Sequence, residues 1–165
     1  MKLRAITAVL GVLAAGPASS AVFNLGTLDM TKPLYHAFVD FTGDFTDIYT
    51  FTLGPEPSAS VVGDTTTINF GNWWNVKLTS ATLSGGGLSQ TLVDTNPNDG
   101  FSFHGVTGGN SYSLSINGTV AGTGLMGVTG IYAGHVSAVP EPEALGLALV
   151  GLLATGAALR RRRSH

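Results

Sequence analysis

The run Phe45-Thr46-Asp47-Ile48-Tyr49-Thr50-Phe51-Thr52-Leu53 constrains the fold more than any other stretch. Successive side chains of a strand point to opposite faces. Phe45, Asp47, Tyr49, Phe51 and Leu53 therefore share one face, and Thr46, Ile48, Thr50 and Thr52 the other. An aromatic face of this kind has to be covered by a second layer. Asp47 stands in the same row, and a carboxylate on an apolar face is costly unless it is hydrogen-bonded or ion-paired. The expectation is a structural Asp47 that accepts bonds from loop N–H groups or a neighbouring hydroxyl at the sheet end. Metal ligation is the alternative.

The rest of the middle of the chain has the same texture. Gly, Thr, Ser, Val and aromatic residues dominate, and no amphipathic helix of useful length occurs. Short β-like runs read as strands over 22–28, 35–40, 45–53, 59–62, 65–70, 75–84, 88–93, 101–106, 112–117 and 131–138. Gly54-Pro55-Glu56-Pro57, Gly63-Asp64, Gly85-Gly86-Gly87, Asn96-Pro97-Asn98-Asp99-Gly100 and Gly108-Gly109-Asn110 separate them with residues that fix turns or tolerate positive φ. This spacing predicts an all-β fold, a single small antiparallel β-sandwich of jelly-roll-like kind. The chain has no cysteine, so disulfides cannot hold it and sheet packing must.

Both ends differ from this middle. Lys2 and Arg4 precede an apolar run over 5–15, then Gly16-Pro17 and the small residues Ala18-Ser19-Ser20-Ala21. This is the pattern of a secretory signal peptide, with cleavage expected after Ala21. At the other end Pro140-Glu141-Pro142 is followed by the apolar run Ala144 to Leu159 and by Arg160, Arg161, Arg162 and Arg163. Proline resists helix, so Pro-Glu-Pro separates the domain from the apolar run after it. Sixteen helical residues span about 24 Å, short of a hydrocarbon core of roughly 30 Å. Snorkelling arginine stems cover part of that deficit. The arginines favour the cytoplasmic side, which leaves Pro-Glu-Pro outside. The chain thus divides into a signal segment 1–21, an extracytoplasmic β domain 22–139 and a tail 140–165 with a transmembrane helix over 144–159.

The order of proline-glutamate-proline, short hydrophobic helix and terminal arginine cluster resembles the PEP-CTERM sorting signal of bacterial exported proteins. Ala144 and Leu145 stand where that family often has an aromatic residue. Phe45-x-Asp47-x-Tyr49 followed by Thr50-Phe51 is similar to the signature of the FxDxF subgroup, with Tyr49 in place of its second Phe. The segments Gly109 to Gly118 and Gly130 to Val136 also resemble that subgroup. The resemblance implies an exosortase, a membrane transpeptidase, as processing partner, together with the secretion machinery. It implies a transient stay in the inner membrane of a Gram-negative bacterium, then delivery to the cell surface or matrix beside exopolysaccharide. It implies no enzymatic activity.

Other candidate sites are sparse. Between Val22 and Val139 eight acidic residues face only Lys32 and Lys77. Nothing there neutralises phosphates, which argues against nucleic acid. Asp94-x-Asn96-x-Asn98-Asp99-Gly100 places oxygen ligands at calcium-loop spacing, but Pro97 intrudes and no Glu closes the loop. A turn is the expectation there and a calcium site the alternative. His36, His104, His135 and His165 have no partner at metal-ligand spacing. Trp73 and Trp74 are candidates for stacking on a sugar if either ring is exposed. Thr65-Thr66-Thr67 is too short to be a regular ice-binding array.

The expected function is therefore a non-catalytic structural or adhesive role at the surface or in the matrix, without a cofactor. A carbohydrate- or ice-binding module is the rival, and needs an exposed Trp73 or Trp74 or a flat Thr face. A surface hydrolase comes third, and needs acidic and His side chains converging in one cleft.

Overall fold

The computed structural model describes residues 19–39, 43–55, 58–69, 71, 73, 75–122, 128–141, 146–147, 149–150 and 152–153. Most of the signal segment, Trp74, Pro142 and Arg160 to Arg163 lie outside these residues. Among the described residues nine strands follow one another: β1 (Ser19–Leu28), β2 (Lys32–Val39), β3 (Gly43–Leu53), β4 (Ala59–Ile68), β5 (Asn75–Gly85), β6 (Leu92–Asp94), β7 (Phe101–Val106), β8 (Ser111–Ala121) and β9 (Val128–Pro140). A 3-10 turn at Pro97–Asp99 joins β6 to β7. The described tail residues between 146 and 153 are helical. No helix among the described residues is long and apolar enough to cross a membrane.

The strands form two sheets, one of five strands in the order β1-β3-β8-β5-β6 and one of four in the order β2-β9-β4-β7. The ladders are antiparallel except for β1, which runs parallel to β3. This corrects the expectation of a wholly antiparallel sandwich. β1 and β3 are separated by β2, which lies in the other sheet, so the chain re-enters the first sheet in its starting direction. The expected cleavage after Ala21 falls inside β1, where Ala21 stands opposite Asp47.

The two sheets share one core. From the first come Phe45, Tyr49, Phe51, Leu53, Val76, Leu78, Ala81, Leu83, Tyr112, Leu114, Ile116 and Val120. Leu34, Val61, Phe101, Phe103, Val106, Tyr132 and Val136 meet them from the second. Burying a large apolar side chain contributes about 1.5–3 kcal/mol. Rings stack across and within the sheets, Phe45 on Tyr132 at 5.7 Å and Phe23 on Tyr49 at 5.0 Å. Such pairs add about 0.5–1.5 kcal/mol beyond area. In β5 the inward residues change parity, from Val76 and Leu78 to Ala81 and Leu83. The cause is a bulge between Leu78 and Ser80, which inserts one extra residue into the ladder.

Two glycines with the look of turn or motif residues serve instead as places of close approach. Gly63 does not end a strand, because β4 runs unbroken through it, pairing with both β7 and β9. A Cβ at Gly63 would strike the His135 carbonyl and the Phe101 ring. A Cβ at Gly118 would come within 2.6 Å of the Phe45 ring and 2.8 Å of the Lys77 carbonyl. The expected strand over 88–93 is also shorter, with only Leu92–Asp94 paired to β5.

Candidate functional site

The inward row of β3 carries Phe45, Asp47, Tyr49, Phe51 and Leu53, all buried. Asp47 is 0% exposed, and it sits in mid-strand rather than at the sheet end. Its donors are not loop N–H groups. The Tyr132 hydroxyl of β9 donates to Asp47 Oδ2 at 2.8 Å, and His36 Nδ1 of β2 lies 2.7 Å from the same oxygen. Asp47 Oδ1 is buried without a hydrogen-bond partner among the described residues. Tyr49 and Tyr132 hydroxyls stand 2.6 Å apart. Tyr132 gives its proton to Asp47, and the Tyr49 hydroxyl also donates to the Tyr35 backbone carbonyl at 3.4 Å.

This network ties the two sheets together, because Asp47 and Tyr49 belong to one and His36 and Tyr132 to the other. Burial raises both tyrosine hydroxyls above the ordinary tyrosine range. For Tyr49 the Tyr132 bond opposes that rise and the charge of Asp47 adds to it, whereas for Tyr132 both Tyr49 and Asp47 add to it. The His-Asp convergence asked of a hydrolase does occur here. It lies between the sheets, with Asp47 fully buried and His36 11% exposed.

Pro140 and Glu141 have a seat of their own. β9 stays in register with β4 as far as Pro140, opposite Ala59. The next residue, Glu141, then accepts two bonds from the domain. Ser58 Oγ donates to Oε2 at 2.7 Å, and the Gly105 N–H donates to Oε1 at 2.8 Å. The Ser58 bond first, and the Gly105 bond with it, hold the Glu141 carboxyl below the usual carboxylate range. Pro140 also borders a mostly apolar pocket of about 220 Å³ lined by Leu28, Leu53, Pro55, Ala59 and Ala138 among others.

The outer face of the five-stranded sheet presents rows of hydroxyls and amides. Thr46, Asn117 and Ser80 lie side by side, then Ile48, Ser115 and Thr82, then Thr50, Ser113 and Ser84. Thr46 donates to Asn117 at 2.7 Å and Asn117 to Ser80 at 3.0 Å, so the first row is ordered laterally. None of these side chains is charged.

The remaining candidates separate. Trp73 is 56% exposed in the turn between β4 and β5. Thr65 points inward and donates to the Pro97 carbonyl, while Thr66 points outward, so the triplet forms no common face. In the 94–100 loop, Asp94 accepts the Asn96 N–H at 2.7 Å and Asn96 donates to Asp99 at 2.7 Å. Asn98 is exposed. One oxygen of Asp94 and one of Asp99 thus serve the loop's own turn. Among the described residues no group of three or more His, Cys, Asp or Glu side chains could hold a metal ion. His135 pairs with Asp64 at 2.7 Å on the surface, and His104 bridges Ser60 and Ser102.

Sequence reading did not find His36 or Tyr132 as partners of Asp47, nor Ser58 and Gly105 as partners of Glu141. One signal was present: His36 follows Leu34 at inward parity in β2.

The fold and the network define an all-β body only by architecture, two sheets pinned by a buried carboxylate. No protein-family model matches the chain, and no curated protein does. Among solved structures it is similar to PliG of Aeromonas hydrophila, a periplasmic lysozyme inhibitor of g-type lysozyme. The TM-score is 0.37 at 8% identity, over 73% of this chain and 100% of that one. The corresponding inhibitor from Salmonella Typhimurium gives a TM-score of 0.32 at 15% identity, over 76% and 100%. Likeness this slight carries no functional argument.

Proposed function

We propose that the chain is an exported surface or extracellular-matrix protein with a non-catalytic, structural or adhesive role, sorted by its Pro-Glu-Pro tail and trimmed by an exosortase-type enzyme. The observation that carries this reading is the continuity of β9 with the motif. The last strand of the body ends at Pro140, and the motif's glutamate follows at the surface. The signal segment and the apolar, arginine-ended tail supply the address. The test is fractionation of the producing bacterium. Wild type reaches the surface or matrix, and a chain truncated after Glu141 does not accumulate there. Equal distribution of the two rejects the reading.

A second reading, a carbohydrate-binding module, is favoured by the uncharged outer face of Thr46, Thr50, Thr82, Ser113, Ser115 and Asn117. Such a face offers donors and acceptors to a neutral polyhydroxylated polymer without desolvating any charge. A glycan array with Trp73→Ala and Thr82→Val controls tests it. Binding lost in Thr82→Val supports the face, and binding lost only in Trp73→Ala places the contact at the turn.

A further inference from the structure

Pro140 and Glu141 do not hang free of the body. Pro140 is still in the β4–β9 ladder, and both oxygens of Glu141 are taken by groups of the folded domain. Ser58 immediately precedes β4 and Gly105 belongs to β7, so one carboxylate spans the ends of two neighbouring strands. A free glutamate in solution would keep these oxygens hydrated. Here a hydroxyl and a backbone N–H bond to them, one on each oxygen, which holds the Glu141 side chain against the domain.

An enzyme that cleaves or transfers a peptide generally binds it extended, using the peptide's own backbone groups and side chains. The backbone next to Glu141 is already paired with β4, and its carboxylate is already bonded. The domain and the processing enzyme therefore compete for the same groups. We propose that Ser58 and Gly105 form a latch on Glu141, and that the sorting motif becomes a substrate only when this latch opens. The idea rests on the proposed sorting role and adds its regulation: the folded body sets the fraction of time for which its own motif is available. Weakening the seat on the domain side, without touching the motif, should speed trimming.

The experiment is a pulse-chase of the full chain in producing cells, with the intact mass of the exported form as readout. Ser58→Ala is expected to lose its tail several-fold faster than wild type. Ser58→Thr keeps the hydroxyl and should retain the wild-type rate. An unchanged or slower rate in Ser58→Ala overturns the proposal. Amide hydrogen exchange of the detergent-solubilised full chain tells the two layers apart. Gly105 should exchange faster in both Ser58→Ala and Glu141→Gln than in wild type, and unchanged exchange refutes the latch itself. If wild type is never trimmed while Gly105 protection does depend on Ser58, the latch exists but the sorting role fails, and the regulatory proposal falls with it.

Discussion

Tyr132 in β9 and Asp47 in β3 face each other across the interior, hydroxyl to carboxylate at 2.8 Å. They are 85 residues apart in the chain, and their bond joins the two sheets at the most buried point of the row that begins with Phe45. Asp47 carries a second donor and Tyr132 a second hydroxyl, so the pair is the centre of the network rather than an isolated contact.

Removing the hydroxyl tests that centre. Tyr132→Phe takes one donor from Asp47 and one hydroxyl partner from Tyr49, at a cost of about 1–3 kcal/mol in urea unfolding. Asp47→Asn should also destabilise, because a neutral amide oxygen accepts more weakly from the donors that meet at Oδ2 and its NH2 group takes the buried, unpartnered place of Oδ1. The double variant should show coupling of about 0.5–3 kcal/mol. Additive losses would mean that the two residues act separately.

Alkali should reach the same network. The folded state raises the hydroxyls of Tyr49 and Tyr132, so their contribution is complete below the ordinary tyrosine value of about 10 and is lost as pH rises beyond it. Ultraviolet titration should show these two tyrosines silent until the protein unfolds. Reversible ionisation of all four tyrosines in the folded protein would contradict the buried network.

Gly118 reports on the packing beside it. Gly118→Ala forces a methyl group toward the Phe45 ring and the Lys77 carbonyl. Overpacking of this kind costs about 1–3 kcal/mol. The unfolding midpoint should fall with little change in the denaturant slope. Wild-type stability would show that β3 and β8 can part more easily than the packing implies.

Acid should open the Glu141 seat. Its carboxyl lies below the ordinary value in the folded chain, through Ser58 first and then Gly105. Its contribution is present above the unfolded value of about 4.3 and is lost as pH falls through the folded one. The Gly105 amide resonance should therefore titrate with a midpoint below about 4.3, and Ser58→Ala should move that midpoint upward. A Gly105 resonance that ignores acid pH would remove the seat.

Much of the fold was legible because alternation in β3 is strict and Gly, Asn and Pro punctuate the strands. What stayed hidden has physical causes. The bulge in β5 shifts its inward residues by one, and no sequence rule marks Leu78 to Ser80 as the place. Gly63 looks like a turn residue, yet it is required because two neighbouring strands press on it. β1 runs parallel to β3 because the chain crosses to the other sheet between them, which local pattern does not encode. The site was legible only on one side. Asp47 could be recognised as needing a partner, but the partners come from β2 and β9, whose register with β3 is set by tertiary packing. Glu141 was legible as part of a Pro-Glu-Pro motif and not as a ligand of its own domain, since Ser58 and Gly105 are brought to it only by the pairing of β4 with both β7 and β9.

The most direct test of the central claim is the intact mass of the protein recovered from the surface or matrix of the producing bacterium. The account predicts a chain that lacks the signal segment and ends near Pro142, without Arg160 to Arg163. A recovered chain that still carries those arginines contradicts it.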